Sequence, residues 1–180
     1  MATPPPVTDT FARFVNDTDY STISETTLAN AKMHILDTFG VALAGVATDT
    51  ASIALDYCRR VGRSDEASIW GTRVKSSVPM AAFANGLLGH ALDFDDWDAY
   101  IHAGHPTCIV VGAALSLGEV IGSSGKDLLK AYVLGIEVLT KISAASPNLQ
   151  DRGFHSTPVL GSFGAAVACA SLLRLDPDKI

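Results

Sequence analysis

Seven ionisable side chains crowd one short stretch, HALDFDDWDAYIHAGHPT, over residues 90–107: His90, Asp93, Asp95, Asp96, Asp98, His102 and His105. The chain around them is mostly Ala, Leu, Val, Gly and Ser. Four carboxylates within six positions repel one another, and that crowding raises at least one pKa. A carboxyl group with a raised pKa is suited to giving or taking a proton near neutral pH. Helical spacing places Gly86, His90 and Asp93 on one face, with His90 and Asp93 close enough to touch. Asp95, Asp96 and Asp98 follow the helix C-terminus, where negative charge is unfavourable. Stability alone would favour Lys or Arg there.

Two histidines stand at helix entrances. His105 directly precedes Pro106, and His155 precedes Ser156, Thr157 and Pro158, with Ser156 or Thr157 as the expected N-cap. Helix N-termini attract anions and offer free N–H groups. They also lower a histidine's pKa, which keeps the imidazole neutral and able to act as a base. A carboxylate substrate beside a neutral histidine fits such a place.

Other chemistries fit less well. Asp and His together can bind a divalent metal, but no HExxH-type spacing is present, and no metal is expected. DFDD at 93–96 matches the DxDD string of protonating terpene cyclases over only four residues. A nucleophilic serine would want a G-x-S-x-G elbow, and GSFG at 161–164 lacks that form. GSSGKD at 122–127 has Asp127 where a phosphate loop carries Ser or Thr, so it reads as a turn.

The elements that must position these groups read as helices nearly throughout. A short amphipathic helix spans Val7 to Asp17. Thr22 and Glu25 have capping-box spacing and open a long helix to Ala44, with a core stripe of Leu28, Ala31, Ile35, Leu36, Phe39 and Leu43. Gly40 and Gly45 let another backbone approach. Further helices cover Ala51–Val61, Pro79 to about Asp95, Pro106 to about Ile121, Asp127–Ala145 and Pro158 to about Leu173. The Pro106 helix is apolar on nearly every side and should be central. Glu137 and Lys141 form an i,i+4 pair on an outer face. EASIWGT is the one plausible strand. The expected fold is all-α, a bundle of about seven helices over residues 7–180 behind a proline-rich lead-in at 1–6.

Composition narrows the function classes. Apolar residues make up 48% of 180 and charged residues 18%, a lean surface that implies extensive burial or a subunit interface. The net charge of −6 and the lack of a basic run argue against a nucleic-acid partner. Three scattered cysteines without CxxC spacing suit a reducing compartment, and a cytoplasmic location is expected, or the mitochondrial matrix in a eukaryote. Ser156 to Leu173 carries no charge, but it is built of Gly, Ala and Ser, which suits close packing inside a protein and not a membrane span.

Five ordered strings carry a resemblance to a known family: AKMHILDTFGVALAG (31–45), ANGLLGHALDFDD (84–96), GHPT (104–107), SGKDLLKAYVLGIEV (124–138) and GFHSTPVLGSFGAA (153–166). The chain resembles the MmgE/PrpD family of 2-methylcitrate dehydratases, cis-aconitate decarboxylases and an iminodisuccinate epimerase. The resemblance implies a helical domain, of which this chain is the N-terminal part, beside an α/β lid domain not contained in it. It also implies a homodimer with no metal or organic cofactor. It points to Asp93, His105 and His155 as catalytic, and to Asp96 and Trp97 on the substrate side. The shared chemistry is proton transfer at a carbon next to a carboxylate of a small polycarboxylic acid, with 2-methylcitrate-type dehydration foremost. Which histidine is acid and which is base stays open.

Two departures from the family pattern bear on the substrate. Trp97 stands where many members carry Thr, and WDAYIHAG, which fills the gap from Asp93 to His105, matches neither subgroup well. The family's catalytic lysines lie beyond this chain, so the isolated 180 residues are expected to be inactive. The competing expectations are a metal-dependent helical hydrolase and a non-catalytic helical protein.

Overall fold

The computed structural model describes residues 6–180. The lead-in expected over 1–6 lies outside them except for Pro6, which precedes the first helix. The described residues form seven α-helices: α1 (Val7–Asp17), α2 (Glu25–Gly45), α3 (Asp49–Val61), α4 (Val78–His90), α5 (Pro106–Ile121), α6 (Gly125–Ala144) and α7 (Ser156–Leu172). The fold class is all-α, as expected. The only sheet among the described residues pairs β1 (Ala67–Ser68) antiparallel to β2 (Lys75–Ser76). Among the described residues no single helix is long and apolar enough to cross a membrane.

Helix α5 is the centre. Val110, Val111 and Ala114 are fully enclosed, with Ala131, Tyr132 and Leu139 of α6 and Leu160 and Ala168 of α7 in the same core. Small residues set the helix spacing. A Cβ added at Gly135 would stand 2.6 Å from the Gly164 carbonyl oxygen, so α6 and α7 meet backbone to backbone. Buried Asn85 of α4 ties the hairpin to the bundle. Its Oδ1 accepts from Trp70 N–H at 2.9 Å, and its amide donates to Ser68 O at 3.0 Å and to Ser116 Oγ at 3.2 Å. That satisfies an otherwise costly buried amide. The outer-face pair Glu137–Lys141 forms at 2.9 Å.

Four expectations need correction. Thr22 does not cap α2: it lies in a 3-10 turn, its hydroxyl donating to Asp19 O, and Ser24 caps instead by accepting from Thr27 N–H at 3.1 Å. Helix α4 ends at His90, not near Asp95. The buried side of α2 is Ala31, Thr38, Ala42 and Gly45, while Leu36 and Leu43 are exposed. Apolar residues sit on two faces of α2, and periodicity alone could not say which one faces inward. Finally, only one of its two glycines admits a neighbour. A Cβ at Gly45 would collide with the Leu88 carbonyl oxygen, whereas one at Gly40 would meet nothing within 4 Å. Gly40→Ala is therefore expected to stabilise by about 0.5–1 kcal/mol. Gly45→Ala is expected to cost about 1–3 kcal/mol. Urea denaturation of the two variants should show these opposite signs.

Candidate active site

The acidic stretch folds into a tight loop between α4 and α5. After His90 the chain turns with Asp93 at φ 55°, a left-handed conformation that Asp tolerates better than most residues. Asp98 N–H then donates to Gly104 O at 3.0 Å, and the Asp98 carboxylate accepts from Tyr100 N–H at 2.9 Å. This closed loop returns His105 to the side of the chain it has just left.

The result is a compact cluster. Buried Asp95 places its carboxylate against His90 Nδ1, at 2.9 and 3.1 Å, and 3.4 Å from His105 Nδ1. Asp93 reaches His105 Nε2 at 3.5 Å. The two imidazole rings lie 4.5 Å apart, centroid to centroid. Nδ1 of His90 donates to Asp95, so Nε2 of a neutral His90 is its basic nitrogen. His105 Nδ1 is buried and makes no hydrogen bond, because Asp95 stands near it but off the required angle. His105 thus has a carboxylate facing each nitrogen and is firmly held by neither.

Helical spacing predicts His90 against Asp93. The structure pairs His90 with Asp95 instead, because α4 stops three residues earlier than Asp93. His90 and Asp95 join the site for that reason. Their five-residue spacing is not a helical one, and only the early helix end brings them into contact.

Asp96 sits behind the cluster. Its Oδ1 accepts from Thr107 N–H at 3.2 Å and its Oδ2 accepts from the Thr107 hydroxyl at 2.6 Å. Since that hydroxyl donates to Asp96, Tyr132 must donate to Thr107 Oγ1 across their 2.8 Å contact. Asp96 therefore caps the start of α5 from a distance, and His34 approaches it at 3.8 Å. Burial raises the Asp96 pKa above the ordinary carboxylate value, the Thr107 bonds oppose that, and the Asp95 charge adds a little. So the carboxyl with the raised pKa owes it chiefly to burial, not to crowding.

This predicts a pH dependence. With its folded pKa above the unfolded value of 3.8, native Asp96 holds its proton longer as pH rises. Its contribution to stability is full below that value and falls as pH rises through the folded pKa. Asp96→Asn should remove this part of the pH profile and otherwise stay near wild type. Asp96→Ala, which strands the buried Thr107 groups, should cost about 1–3 kcal/mol. Urea midpoints measured between about pH 3.5 and pH 7 separate the three.

The remaining expected residues divide. His155 is exposed at the start of α7 and is itself the N-cap position, without a side-chain cap bond; neither Ser156 nor Thr157 takes that place. His155 lines a cleft together with His90, Cys108 and Thr157. It is not paired with His105. The two histidine segments are joined through Thr157, whose Oγ1 accepts from His105 N–H at 3.0 Å. Trp97 is 63% exposed and does not line the cleft. Burial, followed by the charge of Asp95, pushes the Cys108 thiol well above its usual range, so it stays protonated and is no nucleophile.

Residues 9–180 match the MmgE/PrpD N-terminal domain. The chain belongs to the MmgE/PrpD family. It is 30% identical to the cis-aconitate decarboxylase of Homo sapiens over 180 residues, covering 96% of this chain and 37% of that relative. The cis-aconitate decarboxylase of Mus musculus is likewise 30% identical, over 181 residues. The cis-aconitate decarboxylase-like protein oryM of Aspergillus oryzae is 30% identical over 184 residues. The chain thus spans little more than a third of these curated relatives, 36–37% of their length.

Four side chains of the cluster could also hold a cation. One ligand atom from each of His90, Asp93, Asp95 and His105 lies within 4.8 Å of all the others. Two imidazoles and two carboxylates suit a divalent ion such as zinc or manganese.

Proposed function

We propose that this chain supplies one wall of the active site of a lyase or isomerase acting on a small polycarboxylic acid. Asp93, His105 and His155 carry proton transfer at a carbon next to a carboxylate. The observation that supports this best is His105 set between two carboxylates, Asp93 and Asp95, at the mouth of the buried helix α5. In a dehydration, one group removes the proton and another protonates the departing hydroxyl. In a decarboxylation, the carbon–carbon bond to the carboxylate breaks, carbon dioxide leaves, and an acid protonates the carbon that keeps the electron pair. The sequence resemblance puts dehydration of a 2-methylcitrate-type acid foremost. The names of the curated relatives put decarboxylation ahead of it for this chain.

In either reaction His90–Asp95 acts as a second, oriented imidazole beside His105. The ionisable side chains in contact here are Asp and His, without Lys or Arg. The cations that hold an anionic substrate are proposed to come from the remainder of the longer protein, and a homodimer is proposed with it. A substrate panel of cis-aconitate, 2-methylcitrate and related acids, followed by NMR with the full-length protein, tests the reading. Turnover of one of them is expected. If none is dehydrated, decarboxylated or epimerised, the reading fails.

The four-donor cluster favours a second reading, a metal-dependent hydrolase. Dialysis against a chelator decides between the two. The proton-transfer reading expects unchanged activity, and further expects added zinc to inhibit by occupying His90 and His105. Activity lost to the chelator and restored by a divalent ion would favour the hydrolase.

A further inference from the structure

We propose that the cleft beside the cluster accepts an aliphatic arm of the substrate, so that the acid handled here carries an alkyl chain next to its carboxylates. This rests on the proton-transfer reading above. The cleft holds about 450 Å³ between α4, α5 and the start of α7. That lies within the ordinary range for small-molecule sites, roughly 300–1,000 Å³. Its polar end is built from His90, His155 and Thr157, and its walls are carbon: Phe83, Leu87 and Ile109, with Ala82, Gly86 and Ala113 as the small positions.

The small residues leave space that packing does not require. A Cβ at Gly89 would come 3.1 Å from the Cys108 Cβ, and one at Gly112 would come 3.1 Å from the Ala82 carbonyl oxygen, so those glycines serve the crossing of α4 and α5. Gly86, one turn from Gly89 and facing the cleft, is different. Its added Cβ would meet only the Cys108 carbonyl oxygen, at an ordinary 3.6 Å. The helix crossing tolerates a side chain at Gly86; the cleft is what would be filled.

A bare polycarboxylate has no use for such walls, because burying carboxylates against carbon costs free energy. An alkyl arm gains by the same burial. With the carboxylate end at His90 and His155, the arm would run along Gly86 and Ala113, away from the loop that carries Trp97. The group lying next to the reacting carbon would then be apolar and extended.

Isothermal titration of the full-length protein with succinate, butylsuccinate and hexylsuccinate tests this, with hexanol as a control lacking carboxylates. Affinity is expected to rise with chain length, by about fourfold for each methylene fully buried. Hexanol should bind far more weakly than hexylsuccinate. Gly86→Leu, and independently Ala113→Leu from the opposite wall, should leave succinate binding unchanged and abolish the gain from the arm. Equal affinity across the series would overturn the inference alone, as it would if a second copy or another segment of the polypeptide fills the cleft. Hexanol binding as tightly as hexylsuccinate would overturn it too, by separating the cleft from the site. Failure of every carboxylate to bind would overturn both the inference and the functional reading.

Discussion

His105→Ala in the full-length protein is expected to lower kcat/KM by about 10²–10⁴-fold while leaving the fold intact. The size follows from the role of a positioned proton donor or acceptor. The preservation of the fold follows from what the side chain does not do. The imidazole makes no hydrogen bond through Nδ1, and its contacts with Asp93 and Asp95 are long, at 3.5 and 3.4 Å. The bond that joins this segment to α7 comes from the His105 backbone N–H, which alanine keeps. Thermal denaturation beside steady-state kinetics separates the two effects. A His105→Ala enzyme of normal stability and near-normal kcat/KM would remove His105 from the chemistry.

Gly104→Ala is expected to damage both stability and activity. Gly104 sits at φ +79°, where an L side chain is strained, and its added Cβ would collide with Thr157 Oγ1 and lie 2.9 Å from Thr157 N. Strain and steric overlap together should cost about 2–4 kcal/mol. The clash falls on the same Thr157 hydroxyl that accepts from His105 N–H, so relief moves His105 relative to Asp93 and Asp95. A displacement of about 1 Å at a catalytic group can cost on the order of 10²-fold in rate. Stability is read by urea denaturation and the rate at a temperature where the variant is folded. Gly122→Ala is the control: it also has positive φ, at +66°, but its added Cβ meets nothing within 4 Å. It should lose stability without losing rate. Equal rate losses in the two would mean that Gly104 acts through global stability alone.

Much of this fold is readable because its signals are local. Pro106 at the first turn of α5 and Gly122 at its left-handed C-cap bracket a run apolar on nearly every side, and that run is the buried central helix. Glu137–Lys141 follows from helical spacing alone. Where sequence patterns mislead, the deciding contacts are distant along the chain. The hairpin strand Lys75–Ser76 carries no apolar alternation; Glu119 of α5 helps secure it, taking Lys75 Nζ at 3.2 Å and Ser68 N–H at 2.8 Å. Leu36 and Leu43 share the period of the buried residues of α2 yet lie on its outer face.

The site shows the same division. The family pattern points to Asp93 and His105, and the loop does bring them together. The pairing of His90 with Asp95 is not legible in the stretch, because it depends on an early helix end, a left-handed Asp93 and the Asp98–Gly104 closure acting at once. The same pattern puts Asp96 on the substrate side, and the structure gives it Thr107 as a partner. That bond spans eleven positions, and no pattern in the stretch announces it.

The most direct measurement is isotope incorporation. The full-length protein, given its turned-over polycarboxylate in D₂O, should leave deuterium at the carbon next to a carboxylate in the product or in recovered substrate, and His105→Ala should abolish that incorporation. Decarboxylation or epimerisation with no deuterium entering carbon, or incorporation that survives loss of His105 undiminished, would contradict proton transfer at this cluster.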